Sequence, residues 1–460
     1  MAYNGIVIKH IAKRRITMSK GKIAVIGANQ GGLVFAKFAC DYGFDVTIYE
    51  ACAKDKVSYN WTDDCEFKVF EELGFGMPPQ NVWYRKKNWT FVPPRKEVEV
   101  PLHIPEDELD LSCFRRPLND WLEGFALKAG AKIHYSTPVK KVVVDDGKVV
   151  GIKLNNGKTV KADLVVDIGG VDSQVRRSLP EKFGIQREVA DSDKFYVRRT
   201  YFNIPEGTEL PTATNKVYLK HLNELGISWC ILGENKDEAD VLIGRLGKLP
   251  DKVHANALED MKKDNPIIGD KVVNGGQLLA IPVRHPLPCF ITDGYVILGD
   301  SACMTIPMLG SGMASSMRAA KILADVIRRP KDGKRFSKEN LYRYQYKFMT
   351  QIGCRHAGID LMKNWLLASP KGAVDFLFNK GVVGETVMRQ GAEGRMVMMS
   401  PKELVLAGVR GATKPILLIK LVLLIVNMYR AYFFVKLRMP KKYKKRAFKN
   451  WQEKYEAMYK

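Results

Sequence analysis

Lys22-Ile23-Ala24-Val25-Ile26, followed by Gly27-Ala28-Asn29-Gln30-Gly31-Gly32, is the stretch on which the fold turns. An unbroken apolar run such as Ile23 to Ile26 is what a strand buried on both faces of a parallel sheet requires. An Ala-rich helical stretch comes after the glycines, and then Asp45-Val46-Thr47-Ile48-Tyr49-Glu50 as a second strand. The glycine turn therefore lies between a strand and a helix N-terminus, where backbone N–H groups and the positive end of the helix can meet a pyrophosphate. Gly27 makes the tight turn, Gly32 permits close packing of helix on strand, and Gly31 stands with them in the same cofactor-binding turn. Asn29 occupies the place where a middle glycine lets phosphates approach; it tolerates left-handed backbone, but its side chain crowds the site. Glu50, roughly 20 residues on, is set to accept hydrogen bonds from an adenosine ribose.

A second glycine turn is more specific. Gly294-Tyr295-Val296-Ile297-Leu298-Gly299-Asp300 ends a strand on a carboxylate that can hold a ribityl hydroxyl. Pro307-Met308-Leu309-Gly310-Ser311-Gly312-Met313 then opens a helix with unencumbered N–H groups and a positive end. Such an end stabilises negative charge near N1 and C2=O of a reduced flavin. Together Gly299, Asp300, Pro307, Gly310, Gly312 and Met313 are the candidate flavin cradle, and FAD is the expected cofactor.

Outward from these turns, Leu118 to Leu127 has helical spacing, and Ala131 to Tyr135 and Val139 to Val144 have strand character. Val149 to Leu154 and Thr159 to Val166 read as a hairpin about Asn156-Gly157. From about Lys194 to Pro282, strands rich in β-branched and aromatic residues alternate with Gly and Pro turns, as in a separate antiparallel sheet. A second βα unit, Gly294 to Arg329, precedes a mostly helical remainder. The expected class is α/β with an α+β insert. Its organisation is a basic extension at 1–17, an FAD-binding Rossmann-like domain at 18–190 and 284–340, and an antiparallel-sheet substrate domain at 191–283. A helical region at 341–414 and an amphipathic helix with a basic tail at 415–460 complete it. Met18 is a candidate start.

These motifs make the sequence similar to the p-hydroxybenzoate hydroxylase-like flavoproteins and, more closely, to the geranylgeranyl reductases, over most of Ile23 to Ile327. Arg115, with Leu118 and Leu122, resembles the family's Arg-x-x-Leu-x-x-x-Leu helix, whose arginine reaches the FAD. Ala162 to Val166 with Gly169-Gly170 and Ser173 to Arg176 resembles the Asp-Gly segment, and Ile281-Pro282-Val283-Arg284 is also similar. Gly169 stands where the monooxygenases carry aspartate, and Cys303 where hydroxylases carry histidine. Trp229 is retained from the reductases' Tyr-x-Trp-x-Phe-Pro motif and is a candidate substrate contact. Cys65 falls near where such reductases carry a cysteine facing the flavin, and is the candidate catalytic residue. The acidic pair Asp63 and Asp64 beside it reads either as a proton-donor environment or, the reading favoured, as a cap on a helix from Glu66 to Leu73.

The resemblance implies an FAD-dependent oxidoreductase that reduces carbon–carbon double bonds of an isoprenoid or other apolar lipid. The electrons would come from an external donor, ferredoxin or NAD(P)H. Two alternatives stand beside it: a monooxygenase of an apolar substrate, and a non-catalytic prenyl-binding escort on a related fold.

Net charge is +23, which calls for an anionic partner. Much of it lies at Arg438, Lys441, Lys442, Lys444, Lys445, Arg446 and Lys449, directly behind the most apolar stretch, Pro415 to Val435. That adjacency favours an anionic membrane surface over nucleic acid and implies a cytoplasmic, peripheral protein. Lys420, Asn427 and Arg430 fall on one side of a helix, which suits a rod lying in the interface better than one crossing it. The eight cysteines are scattered singly and the histidines have no ligand spacing, so a reducing compartment and no metal site are expected.

Overall fold

The computed structural model describes residues 19–210, 215–234, 237–331 and 333–460. The basic extension 1–17 and the candidate start at Met18 lie outside the described residues. Lys22–Ile26 forms a buried strand at the middle of a six-stranded sheet. In spatial order the strands are Ile291–Thr292, Tyr295–Ile297, Leu164–Asp167, Lys22–Ile26, Asp45–Tyr49 and Lys132–His134. All neighbours run parallel except the Ile291–Thr292 edge. The helices Gln30–Asp41, Arg115–Ala129 and Met313–Arg328 follow their strands as the apolar spacing predicts, and the first packs against both others. Gly130, left-handed at φ 106°, ends the second of them.

The hairpin expected at Val149–Val166 divides in two. Only Thr159–Lys161 pairs back on Lys148–Leu154, with Gly157 at the turn. Leu164–Asp167 leaves it to join the parallel sheet between Lys22–Ile26 and Tyr295–Ile297. The sequence carries the reason: Thr159–Lys161 keeps one wet face, whereas Leu164–Asp167 is buried on both.

A seven-stranded sheet stands beside this one, in the order Val272–Pro282, Lys194–Asn203, Glu238–Leu246, Gly226–Leu232, Asn215–Leu219, Thr90–Val92 and Val100–Pro101. Its last two strands come from outside the 191–283 stretch expected to build it, and Thr90–Val92 pairs parallel to Asn215–Leu219. A small sheet of Thr62–Cys65, Leu111–Phe114 and Trp83–Arg85 bridges the two larger ones.

The C-terminal region is helical, as expected, but its end differs from the expected basic tail. Lys445–Glu456 is a helix that buries Phe448, Trp451 and Tyr455 in the main core. Tyr459 stacks on His285 with ring centroids 3.5 Å apart and donates to the Ala357 carbonyl at 2.8 Å. Aromatic residues at helical spacing outweigh the cations, which stay exposed on the other face. Pro415–Arg438 is a single 24-residue helix packed lengthwise on Cys354–Ala368. Met428, Ala431 and Val435 face the protein, so Lys420, Asn427 and Arg430 share the outward side with Ile419, Val422 and Val426.

Candidate functional site

At the first turn, Gly27 is left-handed, φ 102°, and a Cβ there would meet the Ile168 carbonyl at 3.0 Å. A Cβ on Gly32 would stand 2.2 Å from the Gly27 carbonyl, so only glycine lets the helix sit this close to the strand. Asn29 caps the helix: its Oδ1 accepts from Gly32 N at 3.2 Å while its Nδ2 donates to the Ile168 carbonyl at 2.8 Å. Held from both sides, the amide folds into the turn and still borders the cavity. Glu50 accepts from Ala28 N at 2.8 Å and from Cys52 N at 2.9 Å, one oxygen each. Its carboxylate thus shapes the turn, with lone pairs left for a further donor.

The second turn reaches the same place. Gly299 and Gly310 are left-handed, and Gly312 precedes the helix Met313–Arg328 with no side-chain cap. The first N–H groups of that helix are open to a ligand. A Cβ on Gly312 would lie 2.9 Å from Thr305 Cγ2 and 3.2 Å from Asp300 Oδ1, closing the space beside the carboxylate. The two turns touch directly, since a Cβ on Gly31 would stand 2.2 Å from Ser316 Oγ of the second helix. Arg176, fully buried, braces this loop by donating to the Ser301 carbonyl at 2.6 Å. Asp167, equally buried, accepts from Ser173 Oγ, Tyr295 OH and Gly169 N.

One cavity of about 680 Å³ opens from both turns. Asn29, Gly31, Arg115, Asp300, Pro307, Gly310, Gly312 and Met313 all line it. Burial holds the Asp300 carboxyl above the usual carboxylate range, partly offset by Arg115. Arg115 Nε is buried with no partner among the described residues, and its guanidinium lies 3.5 Å from Asp63. An orphaned cationic donor, a bare helix N-terminus and glycines whose side chains would fill the gap fit an anionic dinucleotide.

The acidic pair does not cap a helix. Asp63 and Asp64 lie in the strand Thr62–Cys65, paired with Leu111–Phe114, and the following helix, Lys68–Glu72, starts later with no side-chain cap. Asp63 pairs with Arg115 and Arg199, and Asp64 with Lys86 at 2.6 Å and Ser112 at 3.0 Å. Burial pushes the Asp63 carboxyl up against the pull of both arginines, although 38% of its side chain stays open toward the cavity. Cys65 departs from its expected place. It is 1% exposed, turned into the core against Cys113, and absent from the cavity wall. The Cys113 thiol and burial raise its own thiol far above the ordinary range.

Trp229 does line the cavity, its indole N–H buried without a partner among the described residues. Arg199, 5.4 Å from that ring, donates to Asp240 at 2.8 Å and to the Thr62 carbonyl, tying the seven-stranded sheet to the small one. The signal for this arginine in the sequence is a charge with apolar or aromatic residues two positions away on either side, Val197 and Tyr201, both buried. Beyond Trp229 the wall is almost wholly apolar and runs to the C-terminal helices.

Two glycine turns converging over a mostly parallel sheet, with a mostly antiparallel sheet across the cavity, make up a fold shared with solved reductase-like and flavin-dependent proteins. A geranylgeranyl bacteriochlorophyll reductase-like protein of Thermoplasma acidophilum shares it with a TM-score of 0.69 and 18% identity, over 88% of this chain and 99% of that one. The flavin-dependent halogenase CmlS shares it with a TM-score of 0.57 and 17% identity, over 96% of this chain and 78% of that one. No family model matches the sequence. Digeranylgeranylglycerophospholipid reductase 2 of Methanopyrus kandleri is 25% identical over 353 residues, which is 72% of this chain and 83% of that protein. The resemblance to the geranylgeranyl reductases is borne out.

Proposed function

We propose that the chain is an FAD-dependent reductase of carbon–carbon double bonds in an isoprenoid lipid, working at an anionic membrane surface. One observation carries the reading: a cavity of about 680 Å³ begins at two glycine-rich, anion-competent turns and continues between largely apolar walls to the C-terminal helices. The pyrophosphate end of FAD falls to Gly27, Asn29, Gly31, Gly32 and Glu50. Asp300 would hold the ribityl hydroxyls, and Gly310, Gly312 and Met313 would offer their N–H groups to the ring. Arg115, whose Nε has no partner among the described residues, would donate to the cofactor. When bound, the flavin supplies a hydride equivalent, taken from an external donor of the ferredoxin or NAD(P)H kind.

This chain's residues do the rest. The apolar wall excludes water and lays the lipid along the cavity. Trp229 offers a flat face and one N–H to the substrate. Among the acids on the wall, burial pushes Asp110 up to about 6, so near neutrality far more of its carboxyl is protonated than in an ordinary aspartate, and that proton can go to the second carbon. The names of the relatives support the substrate class.

The test is direct. The purified protein is expected to be yellow, and after anaerobic photoreduction its flavin bands should recover on mixing with polyprenyl lipid while the lipid becomes saturated. A colourless protein, or no recovery with any prenyl lipid, refutes the reading. Oxygen consumption stimulated by substrate would point to a monooxygenase instead.

A further inference from the structure

The far end of the cavity is formed by two helices that also form an outer surface. Leu404 and Gly408 of Pro401–Gly411, and Leu418, Val422 and Ile425 of Pro415–Arg438, line it. Leu404 and Val422 are nevertheless 52% and 59% exposed, so the same side chains bound the cavity and face outward. A wall that is inside and outside at once is a mouth. Around it Met398, Val405, Val409, Ile419 and Val426 are exposed, an apolar area that water does not favour.

We propose that this helix pair docks on an anionic bilayer and that the lipid passes between the two helices directly from the leaflet into the cavity. The proposal rests on the reductase reading for the identity of what passes, but not for the docking itself.

Charge selects the occupant. From Met398 to Arg446 there are twelve Lys and Arg residues against one acid, Glu403. A second copy seated on this face would bring like charges together, and an ordinary protein partner has no need of the opening behind it. An anionic leaflet meets both features, apolar side chains entering the acyl boundary and cations the headgroups. At 100° per residue, Ile419, Val422, Val426 and Phe433 form one flank of the outward side of the longer helix, and Lys420, Asn427 and Arg430 the other. This is the arrangement of a helix lying along the interface at a tilt. Its opposite face, held on Cys354–Ala368, keeps it from crossing.

Vesicle cosedimentation of the full chain, with its flavin, tests the idea. Binding is expected to vesicles of phosphatidylglycerol and phosphatidylcholine, to weaken in high salt, and to be lost on phosphatidylcholine alone. The triple variant Val405→Glu, Val409→Glu, Val426→Glu should lower the bound fraction by about tenfold while detergent-dispersed prenyl lipid still reoxidises the reduced flavin. Gly408→Trp should plug the mouth, because Gly408 lines the cavity and a Cβ there meets nothing within 4 Å, so the larger side chain can be added without a clash at its root. It should keep the flavin spectrum and vesicle binding yet slow reoxidation by bilayer-embedded lipid; Leu404→Trp is the second plug should the first misfold.

Parental vesicle binding by the triple variant overturns the docking surface, as does a parent chain that sediments as a dimer while the triple variant sediments as a monomer. Unslowed reoxidation in both plugged variants overturns the mouth. Failure of the parent protein to be reoxidised by any prenyl lipid refutes the reductase reading instead, and the vesicle comparison still decides the docking.

Discussion

Gly31→Ala tests whether the two glycine turns are packed on one another. Two effects of opposite sign meet there. Alanine is the better helix former, by about 1 kcal/mol relative to glycine. Against that, its methyl would stand 2.2 Å from Ser316 Oγ, where ordinary contact begins at 3.4 Å, so the helices must part by about 1.2 Å or the serine must leave its rotamer. Overpacking of this kind costs about 1–3 kcal/mol, which outweighs the gain in propensity, so a net loss of roughly 1 kcal/mol is expected. Removing the hydroxyl should restore the site, because the Ser316 Cβ lies 3.4 Å away and can stay. Urea denaturation of Gly31→Ala, Ser316→Ala and the double variant gives the coupling, expected at about 1–2 kcal/mol in favour of the double variant. Flavin retention on gel filtration should fall and recover in step. Gly32→Ala is the internal comparison: its obstacle is the Gly27 carbonyl, which no side-chain change removes. Additive single-variant costs, with no coupling between Gly31 and Ser316, would refute the claim that the turns meet.

Asp110 gives a pH dependence. Its carboxyl rests at about 6 in the fold against an ordinary 3.8, so stability falls as pH rises from about 4 to about 6 and stays lower above. Asp110→Asn removes that penalty and should be more stable than the parent at pH 8 by about 2 kcal/mol, allowing for partial solvent access, and equal to it at pH 4; equal urea midpoints at pH 8 would count against it. Arg199→Ala leaves the Asp240 carboxylate buried without its partner, and a loss of about 3–5 kcal/mol is expected in thermal or urea unfolding. Cys65→Ser should leave lipid-driven flavin reoxidation at the parental rate, because the side chain is turned away from the cavity; a large loss of rate with the flavin retained would return Cys65 to the chemistry.

What was legible in the sequence was local. Lys22 to Glu50 and Tyr295 to Arg328 each contain a strand, a turn and a helix within a few tens of residues, so the apolar run, the glycines and the helical spacing had no distant competitor. Asp63 and Asp64 failed for the opposite reason. An acidic pair before a helix is a capping pattern, but Leu111–Phe114, almost fifty residues on, recruits it into a strand. Two arginines from distant elements then take the Asp63 carboxylate. Cys65 follows from the same error, since placing it in a strand fixes which way its sulfur turns. Thr90–Val92 and Val100–Pro101 are too short to carry a period; the first becomes a strand against the edge of Asn215–Leu219, and the second against the first. In Lys445–Glu456 the charge points to a solvated tail, while the spacing of Phe448, Trp451 and Tyr455 carries the stronger signal.

That last helix sets a condition on biosynthesis. Its aromatic side chains complete the core beneath the second glycine turn, and Tyr459 closes over His285. While the ribosome still holds those residues, the nascent chain exposes an unfinished apolar floor together with the greasy helix Pro415–Arg438. Completion of the core waits until Tyr459 has emerged from the exit tunnel, and until then this polypeptide most needs a chaperone or a lipid surface nearby.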